Sequence, residues 1–211
     1  MKTYTEKQTE DFLKRYIPVA KNKLVKNLNQ ALSAAKNIKY PVALKIISKQ
    51  ALHKSDIGGV RFAKNPTQFR ENYEGLIKIS KKKKLKLDGI LVQQYHKGME
   101  IIIGIKRDDT FGHVILFGLG GIFVEVLKDV SFRVCPITEK DVDSMINELR
   151  GKQILFGVRN KEPINLKLLK KALINVSKIP LRNKKIRELD INPFIMNSEY
   201  GIVADARMVT D

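Results

Sequence analysis

One cysteine, no tryptophan and three histidines are spread over 211 residues, and lysine and arginine outnumber the acids 40 to 22. With Cys135 alone, an internal disulfide, a zinc site and a thiol–disulfide pair are all excluded. Cys135 sits in the apolar run 132–137 and reads as a small core residue. No stretch approaches the roughly 18 consecutive apolar residues of a membrane-spanning helix, and Met1 to Glu10 is too polar for a signal peptide. The expectation is a cytoplasmic protein without a membrane partner. The shortage of acids leaves a formal charge of +18, which ordinarily points to nucleic acid or an acidic membrane. The densest run, Lys81 to Lys84 with Lys86, ends a predicted helix and carries no interleaved aromatics of the kind that stack bases. Most of the charge is therefore read as solvated surface that also attracts small anions, and a basic RNA-binding module stays open as an alternative. A hydrophobic content of 43% supports a real core, in one large domain or two small lobes.

The patterning alternates strands and helices, which supports an α+β (α/β) class. Thr5 caps a first helix to Tyr16, and Ile17 to Ala20 reads as an edge strand because Pro18 cannot donate to a ladder. Asn27 or Asn29 caps a helix to Ile38, Pro66 opens a helix through Ile77, and Ile90 to Tyr95 is a buried strand. Further strands are expected at 98–105, 114–117 and 131–137. Thr138 to Asp141 forms a capping box for a helix to Leu149, and Asn165 caps another through Val176. Two last strands, Ile186 to Ile195 and Gly201 to Val209, complete a mainly antiparallel sheet.

Two stretches carry chemistry. The first runs from Tyr40 to Phe62. Pro41 to Ile47 is a short apolar run that reads as a buried strand, where a lysine is costly unless an anion meets it. Lys45 is therefore a candidate ligand-facing residue. His53, Lys54, Ser55 and Asp56 follow, before Gly58 and Gly59, whose missing side chains let backbone N–H groups approach a phosphate. The second stretch is Glu188-Leu189-Asp190-Ile191-Asn192-Pro193, with Asp205 thirteen residues beyond Asn192. On a strand, Glu188, Asp190 and Asn192 share one face, and a hairpin brings Asp205 to them. Magnesium takes one or two carboxylates and completes its shell with phosphate and water, and this hairpin offers such a set.

The segment "LKI…HKSDIGGV" resembles the strand-loop-strand signature of the ATP-grasp domain in ADP-forming acyl-CoA synthetases, relatives of succinyl-CoA synthetase. The likeness, to the beta subunits of ADP-forming acetate–CoA ligases, runs from about Thr5 to Val209. It implies an ATP-grasp fold of two lobes, 1–94 and 95–211, enclosing ADP or ATP with Mg2+. It implies that Asn192 and Asp205 hold the metal, with Asp190 a weaker candidate. Lys45, Gly58 and Gly59 would attend the phosphates, Gln93 and Gln94 the adenine, and Glu100 the ribose. His53 matches a histidine proposed as a second phosphoryl carrier, and imidazole is chemically suited to accept and release such a group. The first phosphohistidine and the CoA-binding domain belong to an alpha subunit, so the resemblance implies a heterotetramer, alpha2beta2, and no complete reaction by this chain alone. Gly118 to Glu125 and Asp129 match a glycine-rich segment near the arriving phosphohistidine. Tyr16-Ile17-Pro18 departs from the family by lacking a glycine. A succinyl-type ligase or a protein acetyltransferase assembly would use the same domain and stays open.

Overall fold

Residues 1–51, 54–121, 127–158 and 162–211 are described by a computed structural model. The chain opens with β1 (Lys2–Tyr4) and α1 (Glu6–Leu13), whose first turn is closed reciprocally by Thr5 and Gln8. There follow β2 (Asn22–Val25), α2 (Leu28–Ile38), β3 (Val42–Ile47), β4 (Val60–Ala63), α3 (Pro66–Lys82) and β5 (Gly89–Gln94). Asn27 and Asn65 cap α2 and α3 by accepting from the backbone N–H groups of Gln30 and Gln68, satisfying donors that a helix start leaves unpaired. The remainder comprises β6 (Met99–Asp108), β7 (Gly112–Leu119), β8 (Val130–Val134), α4 (Glu139–Glu148), α5 (Leu166–Ser177), α6 (Ile179–Arg182), β9 (Ile186–Met196), β10 (Gly201–Val203) and β11 (Ala206–Thr210).

These elements form two compact units, Ala20–His96 on one hand and Met1–Val19 with Lys97–Asp211 on the other. The smaller unit holds an antiparallel sheet in the order β2-β5-β3-β4. Val42, Leu44 and Ile46 of β3 pack with Ala31 and Ala34 of α2 and Phe69 and Leu76 of α3. The larger unit holds a sheet in the order β1-β11-β9-β6-β7-β8, with β10 also paired to β9. Its core joins Ile103, Ile105, Phe117, Leu189 and Ile191 to Val142 and Met145 of α4 and Leu169 and Leu173 of α5. Each such fully buried aliphatic side chain contributes about 1.5–3 kcal/mol.

The structure departs from the expected division at 94/95 in its treatment of the first nineteen residues. Lys2 to Tyr4 pair antiparallel with Thr210 to Met208, so the N-terminus completes the larger sheet. Ile17 to Ala20 is no strand; Val19 makes one isolated parallel bridge to Val203, and the Pro18 carbonyl accepts from Val203 N–H at 2.9 Å. The expected last strand is interrupted at Ala204 and Asp205, giving β10 and β11. That interruption matters for the site.

Candidate functional site

In the smaller unit β3 is central and buried at every position. Its even-numbered residues face the helices, so alternation puts Ala43, Lys45 and Ile47 on the opposite face. Lys45 is only 6% exposed and stands across from Val60 and Leu91. Ala43 stands across from Gln93, which is 1% exposed, so Lys45 and Gln93 share this helix-free face. Gln94 does not join them. It pairs with Val42 on the helix side, and its N–H is taken by the Lys21 carbonyl at 2.8 Å.

The glycines have a local explanation that the sequence reading did not supply. Gly58 closes the short 3-10 turn Ser55–Ile57 with φ of +68°, a conformation that favours glycine. A Cβ on Gly59 would lie 2.9 Å from the Lys54 carbonyl oxygen. The N–H of Gly58 donates to Ser55 O at 3.0 Å and that of Gly59 to Lys54 O at 2.7 Å. Both donors thus serve the turn itself. His53 lies outside the described residues.

In the larger unit the two interruptions of the last hairpin coincide. β11 pairs with β9 up to Ile191 and β10 pairs with it from Phe194. Asn192 and Pro193 fall in the gap on one strand, and Ala204 and Asp205 fall in the gap on the other. Asn192 N–H donates to the Asp205 carbonyl at 3.1 Å, and Ala204 N–H to that of Pro193 at 3.0 Å. Opposite, β6 and β9 change register between Ile101 and Ile103, a bulge of the kind that re-aims side chains at a site.

Next to this gap, strand register lines up Phe132, Leu116, Gly104, Asp190 and Arg207 in one row across β8, β7, β6, β9 and β11. Leu189 and Ile191 fill the core on the other face, so the row lies on the face away from α4 and α5. A cavity of about 350 Å³ is lined by Gly104, Leu116, Phe132, Glu188 and Asp190. Burial first, and then the carboxylates of Glu188 and Asp205, push Asp190 up to about 6 against the pull of Arg207. Larger cavities beside α5 and α1 touch none of the candidate residues.

A divalent cation fits this chemistry. The set is hard oxygen, and the mutual repulsion of Asp190 and Asp205 is of the kind a cation relieves. Among the described residues no group of three or more His, Cys, Asp or Glu forms a metal cage. Magnesium, which needs only one or two protein carboxylates when phosphates complete its shell, suits such an open set.

Glu100, at the start of β6, stands across from Ile195 and accepts from Gly120 N–H at 2.8 Å through its carbonyl. Its Oε2 would be 3.5 Å from a Cβ on Gly121, so the carboxylate lies against the glycine turn. Residues 122–126 of that segment are outside the described residues. Asp129 is buried and accepts from Arg150 N–H and Gly151 N–H, both at 2.8 Å, which makes it a clamp on the turn after α4. Arg207 was missed in the sequence. Its position two residues beyond Asp205 was the available signal.

A model of the ATP-grasp domain matches residues 1–210. This chain belongs to the ATP-grasp family. Among its relatives is the ADP-forming acetate–CoA ligase I subunit beta of Pyrococcus furiosus, 40% identical over 209 residues, covering 97% of this chain and 90% of that protein. A solved acetyl-coenzyme A synthetase 1 of Ca. Korarchaeum cryptofilum, in complex with coenzyme A and Ca-AMPCP, superposes with a TM-score of 0.96 at 40% identity, covering 100% of this chain and 94% of that one. Another structure of that synthetase, with coenzyme A and Mg-AMPPCP and its phosphohistidine segment pointing towards the nucleotide binding site, gives a TM-score of 0.87 at 38% identity, with 100% and 93% covered. The ATP-grasp match thus spans all but the last of the 211 residues. No helix among its described residues is long and apolar enough to cross a membrane.

Proposed function

We propose that this ATP-grasp chain is the nucleotide-handling subunit of an ADP-forming acyl-CoA synthetase, with acetyl-CoA as the first substrate to test. The observation that carries the reading is the meeting of Asn192 and Asp205 at paired strand interruptions, joined by a backbone hydrogen bond, in a chain 40% identical to an acetate–CoA ligase beta subunit. The overall reaction interconverts acyl-CoA, ADP and phosphate with the free acid, CoA and ATP. Asn192 and Asp205 are the ligands for Mg2+, which when bound would neutralise phosphate charge; Asp190 stands beside them. Lys45 neutralises the phosphates from a buried strand, where low dielectric strengthens its effect. Gly58 and Gly59 shape the loop over the phosphates. Gln93 offers its side chain to the adenine, Gln94 contributes from the same strand end, and Glu100 attends the ribose.

In this scheme phosphate displaces CoA from acyl-CoA on a partner alpha subunit. The resulting acyl phosphate passes its phosphoryl group to a histidine there, releasing the acid. His53 accepts that group and hands it to ADP, giving ATP and a free imidazole. An alpha2beta2 assembly would bring the two histidines into one enzyme. The test is acetyl-CoA-dependent ATP formation by the chain with its co-purified partner. Activity that needs both subunits and drops at least about 100-fold in His53→Ala supports the relay, whereas full activity in His53→Ala removes His53 from it. No ATP formation by the intact pair with any acyl-CoA would refute the function.

A further inference from the structure

The row that crosses the larger sheet ends in a charge that none of the roles above uses. Arg207 stands directly across from Asp190 in the β9–β11 register and two residues beyond Asp205. It is half-buried, and its Nε is buried with no hydrogen-bond partner among the described residues. A guanidinium presents five donors in a rigid fork that matches phosphate oxygens. Leaving one buried and unpaired is unfavourable unless a ligand supplies the acceptor. The only side chain directly opposite on β9 is a carboxylate that is itself crowded by Glu188 and Asp205. On the side of that carboxylate away from Arg207 is Gly104, whose lack of a side chain leaves a cavity of about 350 Å³ lined by Asp190, Leu116 and Phe132 but not by Arg207.

We propose that Arg207 is a binding residue for the phosphoryl group in transit, the terminal phosphate that ATP has and ADP lacks. The assignment rests on the nucleotide reading above and deepens it. The row adjoins the Asn192–Asp205 gap, one strand step from the residues assigned to the metal. An anion held there by Asn192, Asp205 and their cation would meet Arg207 on its far side. The guanidinium then offsets charge on the terminal phosphate, while Asp190 orients the fork rather than capturing it. Diphosphate, ending short of this point, would gain little from Arg207.

The experiment compares the affinity of the full-length chain for Mg-ADP and for the non-hydrolysable Mg-AMPPNP, by calorimetry, in wild type, Arg207→Met and Arg207→Lys. Arg207→Met is expected to weaken AMPPNP at least about tenfold and ADP less than about twofold, with Arg207→Lys in between, because lysine keeps the charge and loses the fork. Equal weakening of both nucleotides, or of neither, overturns the assignment. Should Arg207→Met fail to fold by circular dichroism, the ratio in Arg207→Lys decides alone. A wild-type chain that binds neither nucleotide removes the nucleotide reading and this assignment with it; binding of both with an unchanged ratio in the variants removes Arg207 only.

Discussion

In the smaller unit β3 is buried along all six residues, and its one charge, Lys45, is flanked by hydrogen-bonded strands on both sides. In the larger unit β9 is also flanked on both sides, yet Leu189 and Ile191 go to the core while Glu188 is exposed and Asp190 half-buried. Lys45 is thus the one buried cation among the first sheet's described residues, and burial strengthens its field. The second gathers several carboxylates whose repulsion is moderated by solvent. Crowded carboxylates are costly until a cation arrives.

The first test breaks the first half of that comparison. Replacing Lys45 by Met should weaken Mg-ADP at least about 30-fold, in line with truncation of one partner in a buried charged contact. Helix content by circular dichroism should be unchanged, and loss of binding together with loss of helix content would mean that Lys45 serves the fold. Next comes Gly59→Ala, whose Cβ would press on the Lys54 carbonyl at 2.9 Å. Urea denaturation should show a loss of about 1–3 kcal/mol, the usual range for overpacking against backbone.

Asp190→Asn tests the second half. The folded Asp190 is held up at about 6, above its ordinary 3.8, chiefly by burial. A raised carboxyl favours the protonated native state, so its stabilising contribution is complete below 3.8 and is lost as pH rises through about 6. The metal-free Asn variant should therefore be more stable than wild type at pH 8, by about 1 kcal/mol after allowance for solvent screening. At pH 3.5 the two should match. The smallest effect concerns Cys135, whose thiol burial pushes up to about 12. Native protein at pH 8 should resist thiol reagents, and urea should expose the group.

Much of this was legible beforehand because it depends on short-range pattern. The caps at Thr5, Thr138 and Asn165 lie where the helices begin, and Val42 to Ile47 is a strand because six apolar-dominated residues follow a proline and precede a polar loop. β1 and β2 were not legible. Lys2-Thr3-Tyr4 has no hydrophobic alternation of its own and becomes a strand by pairing with residues more than 200 positions away. The same holds for the split of the last strand, which lies opposite the β6–β9 register change. Residue types made Asn192, Asp205 and Lys45 candidates, but the role of Gly58 and Gly59 in closing their own turn required backbone geometry. Gln93 and Gln94, adjacent in sequence, proved to face opposite sides. Asp129, matched by resemblance to a segment near the arriving phosphohistidine, accepts two backbone N–H groups of the turn after α4. The position of Arg207 two residues beyond Asp205 was in the sequence, but its pairing with Asp190 required the register of β11 on β9.

The central claim is that two chain interruptions bring Asn192 and Asp205 together to hold a metal-bound nucleotide. Calorimetric titration of ADP into the chain with and without magnesium, repeated on Asn192→Ala and Asp205→Ala, tests it most directly. Binding should require magnesium in wild type and fall at least about 100-fold in either variant, with helix content unchanged. Wild-type affinity retained in both variants, or binding indifferent to magnesium, would contradict it.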